Sequence, residues 1–180
     1  RHRLAMFGLI VLAFMVVATV FGPIVYPVKF NEIDMTQRLK PPSLAHPLGT
    51  DDLGQDILAR ILFGGRVSIA VGLAAMFIAV TIGTAVGALS VYFGGTVDQV
   101  FMRLTDLFIA LPPLPLLLLV IYLFRDPVRN VFGPELGIFL LMVTVIGSLR
   151  WMPVARLVRA SFLSIKEKEF IEAARCVGVP

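Results

Sequence analysis

Ionisable residues are scarce within the apolar runs of this 180-residue chain, and the pair that stands out is Arg103 and Asp106, three apart at the start of the run 104–124. Residues three apart are neighbours on a helix, so the two can pair on one face. Placing a charge in a bilayer costs about 2.5–3.5 kcal/mol on insertion scales, which makes any intramembrane ionisable group a functional candidate. Both residues lie near the interface, however, and there a structural anchor is the preferred reading over a substrate contact. His46 stands alone among prolines in PPSLAHPLG with no second ligand nearby, so no metal site is expected. The one cysteine, Cys176, rules out an internal disulfide framework and a cysteine-cluster metal site. No G-x-x-x-x-G-K-[ST], H-E-x-x-H or G-x-S-x-G pattern is present, so any nucleotide hydrolysis belongs to another chain. Proton-coupled transport is disfavoured as well, for want of a central carboxylate or histidine relay.

The other candidate is the stretch SIKEKEFIEAARCVGVP, residues 164–180. Ser164 precedes Glu167 by three, an S-x-x-E capping box that predicts a helix beginning at Ile165, and Gly178 and Pro180 stand where a helix stops. Phe170, Ile171, Ala174 and Val177 form its apolar face, with Lys168, Glu172 and Arg175 off that face or at its edge. The glutamates suit an anionic lipid surface poorly, so docking onto protein is the better reading.

The elements that must carry these residues are membrane spans. Hydrophobic residues make up 58% of the chain, charged residues 16%, and mean hydropathy is +0.90, outside the range of an ordinary soluble domain. The net charge of +4 is scattered between apolar runs, which excludes a nucleic-acid-binding face and favours lipid and topology as its explanation. A span needs roughly 20 apolar residues. Runs at about 4–22, 67–93, 104–124 and 136–152 qualify, the last if Arg150 snorkels beside Trp151 at the interface; a re-entrant segment is its alternative. A signal peptide is the alternative for the first, but its apolar core is too long and no A-x-A site follows. In the second, Ala75, Ala79, Gly83 and Gly87 recur every fourth residue, a stripe that lets another helix approach closely, either of this chain or of a partner. In the third, Pro112, Pro113 and Pro115 should kink the helix or unwind a turn, as a plain structural kink or as part of a pathway lining. The loop 23–66 includes a short helix capped by Asp51 or Asp52, with Leu53, Ile57, Leu58, Ile61 and Leu62 on one face, ending at Gly64-Gly65 and either lying along the outer membrane surface or leading into the second span. Four spans put both ends on one side, and the basic residues place that side in the cytoplasm. The chain opens on Arg1, so an upstream piece is expected.

Glu172-Ala173-Ala174, three residues, then Gly178 resembles the EAA motif in the cytoplasmic loop of ABC importer permeases. ARLVRASFLSIKEKEF before it, HPLGTDDLGQDILARILFGGRVSIAVG over 46–72 and GGTVDQVFMRLTDLFIALP over 94–112 extend the likeness. Together they resemble the dipeptide, oligopeptide and nickel importer permeases, specifically the second permease of the pair, over nearly all of the chain. The resemblance implies an all-α integral membrane protein, a bundle of four transmembrane helices forming the N-terminal part of that permease fold. Residues 1–180 would be one incomplete permease domain, with an external loop over 23–66 and a cytoplasmic EAA loop over 153–180 carrying an amphipathic coupling helix.

It further implies a bacterial cytoplasmic (inner) membrane, a second permease subunit as heterodimer partner, two cytoplasmic ATPase subunits that carry ATP and Mg, an extracytoplasmic solute-binding protein, and no cofactor on this chain. In such importers the EAA helix sits in a cleft of the ATPase. Ala173 and Ala174 permit close approach there, Glu172 can meet a partner cation, and Gly178 allows a sharp turn. Phe170 and Ile171 would each contribute ~1.5–3 kcal/mol on burial, before ordering costs. Family members continue past the glycine through two further spans, so the chain is expected to be a fragment. The competing reading is a non-transporting membrane scaffold or assembly protein that recruits a soluble partner through its tail. Peptides, nickel chelates and glutathione-like solutes all remain open as substrates.

Overall fold

A computed structural model describes residues 2–178, and at 172–175 the backbone alone. In chain order the elements are α1 (Arg3–Val25), a 3₁₀ turn (Met35–Gln37), α2 (Ile57–Phe93), α3 (Gly95–Ala110), α4 (Pro113–Phe132), α5 (Pro134–Lys166) and α6 (Glu169–Cys176). The protein is an all-α membrane protein: α1, α2 and α5 are long and apolar enough to cross a bilayer, and the bent α3/α4 pair makes a fourth span if it is counted as one. The chain forms two compact units, Arg1–Ala70 and Val71–Pro180, with the boundary inside α2.

In the first unit α1 carries no charge beyond Arg3, and nearly all its side chains are exposed, as suits a helix whose solvent is lipid. Thr19 is its buried residue; its hydroxyl donates back to the Met15 and Val16 carbonyls at 2.9 and 3.1 Å. Its methyl lies over Gly65 of α2, while Gly22 of α1 lies against the Leu62 side chain. Small residues thus allow the two helices to approach from both sides. Of the two placements expected for the short helix, the one leading into the second span is found, and the helix does not end at Gly64-Gly65. Glycine costs a helix interior only ~1 kcal/mol, Gly65 accommodates Thr19, and the segment runs on as one 37-residue helix. At 1.5 Å per residue that is roughly 55 Å, well beyond the ~30 Å hydrocarbon core.

In the second unit the small-residue stripe of α2 faces α5 of the same chain. Ala75 and Ala79 are buried, and a Cβ at Gly83 would meet the Trp151 carbonyl oxygen at 2.7 Å, one at Gly87 the Ala155 carbonyl oxygen at 2.6 Å. From the other side, Gly147 of α5 admits Ile78. Trp151, Met152 and Ala155 make the core, with Ile82 and Val86 against them. Trp151 is therefore a core residue rather than the interfacial belt residue expected. Its ring meets Phe108 of α3 edge-on at 6.4 Å between centroids.

Gly94 and Gly95, at φ +62° and +50°, turn the chain from α2 into α3. The run expected as one kinked span over 104–124 is two helices, meeting at 86°. The prolines explain the break. Pro112 is the N-cap of α4, Pro113 its first residue and Pro115 its third, all positions at which an intrahelical amide donor is not needed. The fourth run is also longer than expected: α5 extends 33 residues, through Pro153 to Lys166.

Candidate functional site

Helix α6 follows α5 after a connector of only two residues, Glu167 and Lys168. The Lys168 amide donates to the Ile165 carbonyl at 3.0 Å and the Ile171 amide to that of Lys168 at 2.9 Å, so hydrogen bonds continue across the joint. Phe170 is 63% exposed, Ile171 is half-buried, and Cys176 and Val177 are exposed. Gly178 follows at φ +87°, a conformation glycine adopts freely after a helix. The backbone at Glu172, Ala173 and Ala174 is helical; their side chains, and Val179 and Pro180, lie outside the described residues. The capping box is not used. Ser164 sits inside α5, where its hydroxyl donates to the Ser161 carbonyl at 3.0 Å, and α6 starts at Glu169.

The expected Arg103–Asp106 pair is replaced by one between helices. Asp106 is bound by Arg156 of α5, while Arg103 lies on an open face of α3 with Gln99, Val100 and Leu107. A second, stronger link lies eight residues earlier on α3. Arg159 Nε donates to Asp98 Oδ1 at 2.6 Å and its terminal nitrogen to Oδ2 at 2.5 Å, a bidentate clamp. Ser90 Oγ of α2, fully buried, donates to the same Oδ1 at 2.6 Å. Asp98 is in the first turn of α3, where the helix dipole also favours a negative charge. Sequence reasoning missed this triad. Its one legible signal was an acidic residue four beyond the helix-starting Gly94.

At the α3/α4 bend a groove of about 380 Å³ is lined by Leu111, Leu114, Leu117, Leu149, Met152 and the exposed Arg150.

In the first unit the loop before α2 is organised around Asp56. Its Oδ1 caps α2 by accepting from the Ala59 amide at 2.7 Å. Its Oδ2 lies 2.8 Å from both His46 Nδ1 and the Tyr26 hydroxyl. The phenol has one proton and also lies 2.9 Å from the Ala45 carbonyl; the carboxylate is the stronger acceptor. His46 Nε2 is 2.7 Å from Gln37 Oε1. Thr50 accepts from the Lys40 amide at 2.9 Å, and the Ile57 amide donates to the Gly49 carbonyl at 3.2 Å. The cap is thus Asp56, neither Asp51 nor Asp52. Asp51 instead accepts from the Leu53 and Gln55 amides, each at 2.9 Å, and pairs with Arg60.

Burial resists ionisation of Asp56, but the Ala59 amide, His46 and Tyr26 outweigh it and hold the carboxyl below its ordinary range. Burial, then the hydrogen bond and charge of Asp56, push the Tyr26 phenol up to about 12. His46 is thereby a structural member of a polar cluster, and among the described residues no group of three or more potential ligands gathers as a metal site.

The chain matches two family models: the binding-protein-dependent transport system inner membrane component over residues 79–180, and the N-terminal TM domain of oligopeptide transport permease C over residues 1–42. It is 37% identical over 182 residues to the oligopeptide transport system permease protein OppC of Haemophilus influenzae, covering 100% of this chain and 55% of the relative. With the dipeptide transport system permease protein DppC of Bacillus subtilis the identity is 35% over 178 residues, covering 99% of this chain and 52% of the relative. With OppC of Bacillus subtilis it is 32% over 177 residues, covering 98% and 54%. The chain thus spans about half the length of the curated relatives it matches. A model covering more than half the chain, α5 and α6 included, shows that the chain belongs to the family of inner membrane components of binding-protein-dependent transport systems.

Proposed function

We propose that this chain is part of a permease subunit of an ABC importer that takes up peptides or similar small solutes, and that α6 couples it to a separate ATPase. The observation that carries the coupling role is α6 itself. It is a discrete helix two residues beyond a 33-residue spanning helix, and it presents Phe170 at 63% exposure. Phe170 and, seven residues on, the exposed Val177 fall on the apolar side read from the sequence, and such a side on a short helix of mixed charge suits a protein partner. Glu172, Ala173, Ala174 and Gly178 are the residues assigned to the ATPase cleft, with Phe170 and Ile171 as anchors. ATP and Mg belong to that partner, and this chain takes no cofactor of its own. A second permease completes the pathway, and a solute-binding protein delivers substrate from outside. Names of the relatives support oligopeptides or dipeptides as the solute class. In this reading the protein lies in the inner membrane with its N-terminus and α6 cytoplasmic and the loop 26–56 external.

Cys176, the only cysteine and an exposed one, tests the reading directly. In the full-length permease, with any cysteine outside these 180 residues replaced by serine, membrane-impermeant thiol reagents should spare it in sealed cells, modify it in inverted vesicles, and lose access once the ATPase is bound. Labelling of intact cells from outside would overturn the topology. Undiminished labelling with the ATPase present would overturn the docking role of α6.

A further inference from the structure

We propose that Asp98 is a positioning residue that ties the distal arm of α5 to the start of α3, so that displacement of α6 reaches the α3/α4 bend. The proposal rests on the coupling role assigned above to α6.

Three observations carry it. First, α6 is tied directly to α5: its two-residue connector is hydrogen-bonded onto the end of that helix, so a force on α6 becomes a force on the arm 154–166. Second, the arm is gripped on two faces. Val154, Ala155 and Val158 lie over Gly83 and Gly87 of α2, too close for any side chain at either glycine, while Arg156 and Arg159 point to α3. Arg159 is seven residues before the end of α5, about 10 Å along the axis. Third, the two ion pairs are not equal. Arg156 and Asp106 have side chains 48% and 60% exposed and meet through a single hydrogen bond. Arg159 and Asp98 are 32% and 20% exposed, bidentate, and joined by the fully buried Ser90.

A fork-shaped guanidinium on a carboxylate fixes orientation as well as distance. Asp98 therefore sets both the height and the rotation of the arm relative to α3. The far end of α3 is the 86° bend into α4, beside the groove at Arg150. With Asp98 in place, α3 and the arm move together; without it, the arm can tilt on its glycine contact and leave the bend where it was.

The test uses the full-length permease assembled with its second permease and ATPase subunits in proteoliposomes, with the binding protein supplied and radiolabelled dialanine and trialanine as probes. Asp98→Asn keeps the shape and the Ser90 hydrogen bond but removes the charge. ATP hydrolysis should persist while peptide moved per ATP falls at least tenfold. The exchange Asp98→Arg with Arg159→Asp should recover part of the ratio. Arg159→Lys, which keeps charge but loses the fork, should give an intermediate loss and serves if the asparagine variant fails to assemble. Amide exchange across 156–166 should rise in Asp98→Asn while that across 138–150 does not. A wild-type ratio in either single variant, or unchanged exchange in the arm, overturns the proposal. A wild type that hydrolyses ATP but moves neither peptide would instead sink the functional reading, and this inference with it.

Discussion

Replacing Asp56 by alanine and by asparagine separates helix capping from the cluster built on the same carboxylate. Alanine removes the acceptor for the Ala59 amide, a loss of ~1 kcal/mol for a typical N-cap. It also strips His46 of a charged partner at 2.8 Å, worth about 1.5–3 kcal/mol. Tyr26 adds little, because the Ala45 carbonyl at 2.9 Å remains to accept its proton. The sum is roughly 3 kcal/mol, about two powers of ten in a local opening equilibrium. The amides of Lys40, Thr50 and Ile57, whose acceptors all lie within the loop, should lose about 100-fold protection in native-state hydrogen exchange. Asparagine keeps the Oδ1 acceptor, and its amide can donate to a neutral His46, so only about tenfold should be lost. Acid provides a second check. A carboxyl held below its ordinary value near 3.8 contributes stability that is present above that value and lost as pH falls through the folded one. The wild-type loop should open on that limb, and the asparagine loop should show a smaller step, the remainder coming from Asp34 and Asp51, which are also held below their ordinary value. If alanine leaves Lys40 and Thr50 within about threefold of wild-type protection, Asp56 does not organise the loop and the reasoning fails.

Tyr26 gives the alkaline counterpart. Its folded value, about 12, lies above the ordinary 10, so its contribution is present below 10 and lost as pH rises towards 12. The difference absorbance between wild type and Tyr26→Phe should show the phenolate only near the upper value; a titration at the ordinary one would contradict the burial argument. Gly87→Val should destabilise the α2–α5 contact by ~1–3 kcal/mol, because the added carbon meets the Ala155 carbonyl oxygen, a backbone atom that a helix cannot move aside. Its thermal midpoint in detergent should fall clearly, whereas Gly72→Ala, with open space around it, should be neutral or better.

The membrane class and the apolar runs were legible in the chain because each is a property of neighbouring residues. Hydrophobicity is summed over about 20 consecutive positions, and a helix satisfies its own backbone in that window without reference to the rest of the protein. The stripe Ala75, Ala79, Gly83, Gly87 was legible for the same reason, as a period of four. What it packs against was not, since α5 and a partner's helix offer equally good surfaces until the chain is folded.

Polar partners were decided by tertiary structure. Asp106 had Arg103 within its own helix turn but takes Arg156, fifty residues away, and Asp98 takes Arg159 at a separation of 61. A carboxylate pairs with the cation that the packing of two helices brings to it, and that packing is set here by glycines in a third. Helix ends behaved likewise. Ser164-x-x-Glu167 reads as a cap, yet α5 overrides it by continuing, and Asp56 rather than its earlier neighbours caps α2 because Tyr26 and His46 converge there. Three prolines announced a break, but whether it bent the chain slightly or by 86° depended on α5, against which both halves lie. Composition determined that this chain enters the membrane; contacts between distant helices decided which of its few charges face one another.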